Sequence, residues 1–243
     1  MNAIDCRALT KRYGSLTAVD SLELSVTKGE TFALLGVNGA GKTTAIKMLC
    51  CLVRPTSGTA CVMGHDILSE SLAVKERINV SPQETAVAPN LTVRENLELI
   101  CSLYGLDKFS RKKRSSEMME SLSLTPVAEK RAGTLSGGWM RRLSIAMALI
   151  TEPEILFLDE PTLGLDVLAR RELWELIESL KGKMTVILTT HYLEEAEALS
   201  DRIGIMASGH LVALGTAAQL KAKAGKNSFE DAFVALCREG GAI

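Results

Sequence analysis

The chain alternates between apolar runs of strand length and longer segments in which apolar residues recur every three to four positions. At residues 154–159 (EILFLD) and 184–191 (MTVILTTH) the apolar run is continuous, which is typical of strands buried on both faces. Helical patterns follow both runs, at residues 166–182 and 192–200. This alternation predicts an α/β fold with a mainly parallel sheet and right-handed crossovers.

Other segments depart from this alternation. Residues 1–35 carry three strand patterns, and we expect an antiparallel β-subdomain at this end of the chain. Between about residues 84 and 135, apolar residues at helical spacing predict an inserted helical subdomain. The basic run DKFSRKKRS (107–115) lies within it; such a run is usually a solvated helix face or loop, and a functional patch is the alternative. A final amphipathic helix is predicted at 228–239, with Ser228 as its cap.

Composition narrows the class of protein. Apolar residues make up 47% of the 243 residues, charged residues 23%, and the formal net charge is −1. These values are typical of a globular protein, and no global positive field exists to attract nucleic acid. The uncharged stretch at 203–220 is interrupted by polar residues and predicts two short strands around a turn, not a membrane span. We therefore expect a cytoplasmic protein, unless a partner holds it at a membrane.

The stretch GVNGAGKT, residues 36–43, matches the pattern G-x-x-x-x-G-K-[ST]. It follows an apolar strand pattern and opens a helical one, which is the context that a phosphate-binding P-loop requires. Lys42 is expected to reach the β- and γ-phosphates, and the Thr43 hydroxyl to ligate Mg²⁺. The residues expected to hold the nucleotide are Gly36, Asn38, Gly39, Ala40, Gly41, Lys42, Thr43 and Thr44.

Two acidic residues stand at the end of the strand pattern 154–159: Asp159 is its last residue, and Glu160 comes directly after it. Asp159 should emerge at the carboxyl edge of the sheet beside the P-loop, where it can hold Mg²⁺ directly or through water. Glu160 follows it and can polarise an attacking water molecule. His191 ends the next buried strand pattern at the same edge, where a neutral imidazole can bond the γ-phosphate or that water.

The stretch LSGGWMRR, residues 135–142, predicts a second anion site. Ser136, Gly137 and Gly138 stand just before an apolar helical pattern, and backbone amides at a helix start can hold an anion. One small chain thus carries two candidate phosphate sites.

Taken together, these ordered motifs resemble the nucleotide-binding subunit of ABC transporters, and the resemblance covers nearly the whole chain. It implies that the LSGG segment completes the ATP site of a second subunit in a head-to-tail dimer. It also implies that Tyr13 in KRYG stacks on adenine and that Gln83 meets Mg²⁺ and the attacking water. Asp166 in LGLD matches a loop that crosses the dimer interface, and Glu160 and His191 match the catalytic base and the switch histidine.

Two residues depart from the family pattern. Trp139 stands where the signature usually has Gln, and it could pack against the partner's nucleotide or fill the interface. Met147 stands where Arg is frequent.

The resemblance implies a single domain over 1–243. Its parts would be a core at 1–83 and 136–215, a helical subdomain at 84–135 that docks a membrane partner, and a short helical tail at 216–243. The tail resembles that of export-type ATPases for sodium ions, antibiotics or lipids. The expected ligands are ATP and Mg²⁺. The expected partners are an integral-membrane permease and a second ATPase subunit, most simply a second copy, on the cytoplasmic face of the cell membrane.

Two other classes of protein fit these motifs less well. A soluble ABC ATPase acting on ribosomes or DNA would carry two ATPase domains or a long coiled coil, whereas this chain has one P-loop and no long heptad run. A solitary P-loop kinase or GTPase would leave the LSGG segment and His191 unexplained.

Overall fold

Ten strands and nine α-helices follow one another in residues 1–239, the part of the chain that the computed structural model describes. The strands are β1 (Asn2–Tyr13), β2 (Leu16–Thr27), β3 (Thr31–Leu35), β4 (Ser57–Val62), β5 (His65–Asp66), β6 (Ile78–Ser81), β7 (Ile155–Asp159), β8 (Thr185–Thr190), β9 (Arg202–Ala207) and β10 (His210–Gly215). The helices are α1 (Lys42–Leu49), α2 (Ser71–Lys75), α3 (Val93–Leu103), α4 (Lys108–Ser121), α5 (Gly137–Leu149), α6 (Val167–Leu180), α7 (Leu193–Leu199), α8 (Ala217–Ala224) and α9 (Phe229–Glu239).

The strands form two sheets. An antiparallel sheet has the order β2-β1-β4-β5. The larger sheet has the order β10-β9-β3-β8-β7-β6, and its neighbours are parallel except for the β9–β10 pair. The expected α/β fold, with a mainly parallel sheet and an N-terminal antiparallel β-subdomain, is confirmed.

The central strands are buried on both faces because each face packs against a different core. Along β3, Phe32 and Leu34 belong to the core shared with the antiparallel sheet and α1, whereas Ala33 and Leu35 face the core formed with the helices. β7 alternates in the same way. A strand with no solvated face needs no polar positions, which explains the continuous apolar runs in the sequence. Polar side chains can then leave the sheet only at the strand ends.

The segment between β6 and α5 is helical, as the spacing predicted. Thr92 and Glu95 form a capping box at the start of α3, and Asp107 caps α4 by accepting hydrogen bonds from the amides of Phe109 and Ser110. These caps satisfy amides that the helix itself leaves unpaired. The basic run lies inside α4 and is therefore part of a helix, not a loop. Within residues 1–239, none of the helices has the length and apolar character needed to cross a membrane.

Helix ends in the C-terminal half differ from the sequence expectation in two places. α6 ends at Leu180 rather than Gly182, because Lys181 already has an extended backbone and Gly182 has a φ of +72°. A separate helix, α8, precedes α9 and was not predicted. The sequence signals for it are the Thr216–Gln219 capping box at its start and Gly225 at its end, where a φ of +63° stops the helix. The predicted Ser228 cap is confirmed by the Asp231 amide, which donates to the Ser228 hydroxyl at 3.1 Å. Residues 240–243 of the predicted tail lie outside the described residues.

Candidate functional site

The P-loop connects β3 to α1 at the carboxyl edge of the larger sheet. Gly41 forms the N-cap of α1 with a φ of +102°, and a Cβ placed there would lie 2.3 Å from the Ala18 carbonyl oxygen. Only glycine can therefore take this turn. Because the first turn of α1 carries no acidic residue, its free amides present an uncompensated positive potential, as an anion site requires.

Lys42 is the first residue of α1, and its side chain is buried at the centre of the loop. Its ammonium group donates to the carbonyl of Gly36 at 2.7 Å and to that of Val37 at 3.3 Å. The same group lies 3.4 Å from a carboxylate oxygen of Glu160. The cation is thus held between the phosphate loop and an acidic residue from another strand, ready to be shared with an incoming phosphate.

Asp159 ends β7, and its carboxylate oxygen Oδ1 faces the P-loop. That oxygen accepts hydrogen bonds from the hydroxyl of Thr43 at 3.2 Å and from the hydroxyl of Thr189 at 2.5 Å. The structure therefore brings together the two oxygen ligands, Thr43 and Asp159, that the sequence assigned to Mg²⁺. Hard oxygen donors of this kind suit Mg²⁺, which usually takes one or two protein groups and fills its remaining positions with water and phosphate.

Glu160 has a left-handed backbone, with a φ of +48°. A non-glycine residue pays about 1–3 kcal/mol for such a conformation, and strain of this kind is concentrated at functional sites. The surrounding bonds hold the conformation: the Glu160 amide donates to the hydroxyl of Thr189 at 3.0 Å, and Oε2 lies 2.7 Å from Nδ1 of His191. The turn aims the carboxylate into the cavity rather than along the strand.

A cavity of about 760 Å³ lies in front of these groups. It is lined by residues 38–44 of the P-loop, by Glu160 and His191, and by Gln83 and Tyr13. Its size and its polar wall suit a nucleotide with its phosphates against the loop.

Two of the expected nucleotide contacts lie at the edge of this cavity. Tyr13, the last residue of β1, lines the cavity and is 46% exposed, and the ammonium of Lys11 lies 5.0 Å from the centre of its ring. Gln83 lies in the loop after β6. Gly36 does not line the cavity, but it allows the loop to pass β9, since a Cβ there would lie 2.4 Å from the Met206 carbonyl oxygen.

The second predicted anion site lies apart from the first within this chain. Ser136 is the N-cap residue of α5, and its side chain makes no capping hydrogen bond, so the hydroxyl and the first amides of α5 are available to a ligand. Ser136 and Gly138 line a separate cavity of about 160 Å³, and neither they nor Gly137 line the P-loop cavity. No residue lines both cavities.

Asp166, which the resemblance assigned to a loop at the dimer interface, has a local role in this structure. Its carboxylate accepts hydrogen bonds from the amides of Leu168 and Ala169, each at 3.0 Å, and caps α6. It does not line the P-loop cavity. The start of α6 lies close to the start of α5: a Cβ on Gly138 would be 2.9 Å from the Ala169 side chain.

Sequence reasoning missed Arg141, a buried cation behind the site. Its guanidinium donates to the carbonyl oxygens of Asp159 and Pro161, each at 2.9 Å, and to that of Pro82. Burial lowers the pKa of Arg141 to about 10, and nearby carboxylates, Asp159 first, oppose that shift. Its spacing to Ile145 and Ala148, four and seven residues on, placed it on the buried face of a helix and could have identified it.

Comparisons with known proteins agree with this geometry. The family model described as "ABC transporter" matches residues 19–163. The chain is 46% identical over 224 residues to the daunorubicin resistance ATP-binding protein DrrA3 of Streptomyces coeruleorubidus, covering 92% of this chain and 71% of that protein. It is 44% identical over 218 residues to the linearmycin resistance ATP-binding protein LnrL of Bacillus subtilis, covering 89% and 70%.

Solved structures share the fold. An ATP-binding subunit of an ABC transporter superimposes with a TM-score of 0.85 at 28% identity, over 96% of this chain and 99% of that one. The ATP-binding cassette MJ0796, a dimer in a post-hydrolysis state bound to ADP and Pi, superimposes with a TM-score of 0.79 at 26% identity, over 88% and 98%. By sequence and by structure, this chain belongs to the ABC transporter family, as an ATP-binding domain that hydrolyses ATP.

Proposed function

We propose that this chain is the motor subunit of an exporter, working as a head-to-tail dimer that drives a separate integral-membrane permease. The observation that carries the proposal is the separation of the two anion sites. Ser136 and the amides at the start of α5 face a cavity different from that of the P-loop. In a head-to-tail dimer, each α5 start would instead meet the phosphates held by the P-loop of the other copy.

The proposed reaction uses position and charge rather than a covalent intermediate. Residues 38–44 and Lys42 would hold the phosphates, and Tyr13 would stack on the adenine. Glu160 would accept a proton from the water that attacks the γ-phosphate in line. His191, 2.7 Å from Glu160, would hold that carboxylate in place and bond the γ-phosphate. Gln83 would report the state of the site to the permease.

Mg²⁺ fits the oxygen groups that meet behind the P-loop. Thr43 and Asp159 would ligate the ion, directly or through water, and Gln83 would be the third protein ligand. When bound, the ion neutralises charge that develops on the phosphate oxygens.

The exporter assignment is supported by what the relatives are named for, namely resistance to daunorubicin and to linearmycin. We extend to this chain the class of activity, export through a membrane partner, and not the cargo. The alternative classes that act on ribosomes or DNA have no support among these relatives. We also propose the division into a core at 1–83 and 136–215, a helical subdomain at 84–135 and a tail at 216–243. The helical subdomain would dock the permease on the cytoplasmic face.

Mixing two inactive variants tests the shared sites. Lys42→Ala removes the P-loop cation. Gly137→Asp places a carboxylate at the start of α5, where a Cβ has room because its nearest neighbour is a Leu165 methyl at 3.8 Å. Each variant alone should lose ATPase activity, and the mixture should recover up to roughly a quarter of the wild-type rate. The reason is that half of the dimers would be mixed and each would hold one complete site.

The control for this experiment is Gly137→Asn, which has nearly the same shape without the charge. It should keep more activity than Gly137→Asp, alone and in the mixture. If mixing restored nothing while sedimentation showed mixed dimers, the shared-site proposal would be wrong. The permease is tested separately, by extracting the tagged chain from native membranes with ATP and identifying what accompanies it. A multi-span protein in stoichiometric amount supports the transporter assignment, and ribosomes or nucleic acid alone would contradict it.

A further inference from the structure

The basic run at residues 107–115 places its cations where they destabilise the helix that contains them. Residues 108–114 carry five cations and no carboxylate, and they form the N-terminal half of α4. A helix N-terminus already bears positive partial charge, so cations there are destabilising. Lys108 and Lys112 are also four residues apart on one face, where like charges repel. A purely solvated helix face gains nothing from this pattern.

The fold itself uses only part of this charge. Arg114 pairs with Glu152, and Arg111 is half-buried. Lys113 lies 3.9 Å from Glu117, with both side chains more than half exposed, and such a pair contributes little. For Lys108 and Lys112, residues 1–239 provide no ion pair. Lys108 and Lys112 are therefore available to an anionic partner, and Lys113 is held only weakly by Glu117.

Exposed apolar side chains accompany these lysines. Phe109 is 79% exposed on α4, and Leu103 and Tyr104, at the end of α3, are 72% and 53% exposed. Only a short turn at Gly105 separates the two helices. We call these six residues the helical tip: Leu103, Tyr104, Lys108, Phe109, Lys112 and Lys113.

We propose that the helical tip binds the surface of an anionic lipid bilayer, with the lysines against headgroup phosphates and the apolar side chains in the headgroup–acyl boundary. Cations combined with exposed aromatic and aliphatic side chains are what an interfacial membrane contact requires. Nucleic acid fits less well, because the chain has a net charge of −1. This contact does not depend on ATP hydrolysis, so it stands or falls separately from the proposed function.

Vesicle binding tests the proposal with the full-length chain. Cosedimentation with phosphatidylcholine vesicles, with and without phosphatidylglycerol, should show binding that needs the anionic lipid and weakens with salt. The triple variant Lys108→Gln/Lys112→Gln/Lys113→Gln should bind about a hundredfold more weakly, at roughly fivefold for each lysine near an anionic surface. Phe109→Ser should weaken binding in a way that salt does not alter.

Two matched variants make the result specific. Lys221→Gln/Lys223→Gln/Lys226→Gln removes the same charge from α8 and its end, and Leu72→Ser removes an apolar side chain that is 76% exposed on α2. Both should bind anionic vesicles within about twofold of wild type. Equal losses from the two lysine triples, or no preference of the wild type for anionic vesicles, would overturn the proposal. The proposal would also be overturned if the wild type bound single-stranded RNA or an acidic peptide, and the triple lysine variant lost that binding but bound vesicles as the wild type does. ATPase activity, measured on every variant, checks that each is folded.

Discussion

Replacing Arg141 with Met should destabilise the protein and damage catalysis together. The guanidinium joins three segments through their carbonyl oxygens: the loop before Gln83, the end of β7, and the turn after Glu160. Methionine has a similar length and no donors. The carbonyls of Asp159 and Pro161 would therefore be left buried without a partner.

The size of the effect follows from these bonds. A buried acceptor without a partner costs about 1–3 kcal/mol, and two such acceptors set a loss of about 2–6 kcal/mol. Removing a buried cation offsets part of this loss, since burial already disfavours the charge and lowers the pKa of Arg141 to about 10. We expect a net loss near 3 kcal/mol, which corresponds to a fall in Tm of about 6–12 °C for a chain of this size.

Thermal unfolding and steady-state kinetics measure the two effects. Arg142→Met is the matched control. Arg142 lies on the same helix and makes an ion pair with the exposed Glu172, a long bond of 3.3 Å to the Leu122 carbonyl and a contact with the Trp139 ring at 5.2 Å, so its loss should cost about 1–2 kcal/mol. For Arg141→Met, kcat should fall more than KM rises, because Asp159 and Glu160 act on the reacting phosphate. Arg141→Lys should recover part of both losses.

A Tm for Arg141→Met equal to that of Arg142→Met would refute the argument from buried carbonyls. A lower Tm with an unchanged kcat, measured well below the transition, would show that Arg141 stabilises the fold without positioning Glu160.

Three further predictions concern other positions. Gly41→Ala should cost at least about 2 kcal/mol of folding free energy in denaturant titration, since its Cβ would lie 2.3 Å from a carbonyl oxygen; Gly39→Ala, which has open space, should cost about 1 kcal/mol. Burial raises the pKa of Glu195 above its unfolded value of 4.5. The folded state therefore stays protonated to higher pH than the unfolded state, and wild-type stability falls as the pH rises from 4.5 to the raised pKa. The stability of Glu195→Gln relative to wild type should therefore increase from pH 4.5 upward, and a pH-independent difference would contradict this. Trp139→Gln should keep ATPase activity within a few-fold, because the ring stacks on Arg142 at 5.2 Å within its own subunit; a loss of hundreds-fold, more than about 3 kcal/mol, would assign it a direct role at the nucleotide.

The local chemistry of this protein could be predicted from the sequence alone. A strand pattern, a glycine-rich loop and a helix in order predict a P-loop, because the backbone there must wrap phosphate within eight residues. Continuous apolar runs predicted strands buried on both faces, and the residues that end them predicted which side chains reach the sheet edge. Asp159 and His191 were identified in this way. Such features depend on neighbours in the chain.

Contacts between distant segments were decided only by the tertiary structure. Arg141 is bonded to residues 18, 20 and 59 positions away, and no local pattern specifies carbonyl partners at those separations. The left-handed turn at Glu160 is likewise held by Thr189, from the neighbouring strand. The same holds for the separation of the two anion sites, since cavities are formed where strands and helices meet in space. A sequence records which groups are present at each strand end and helix start, whereas packing decides which of them share a cavity.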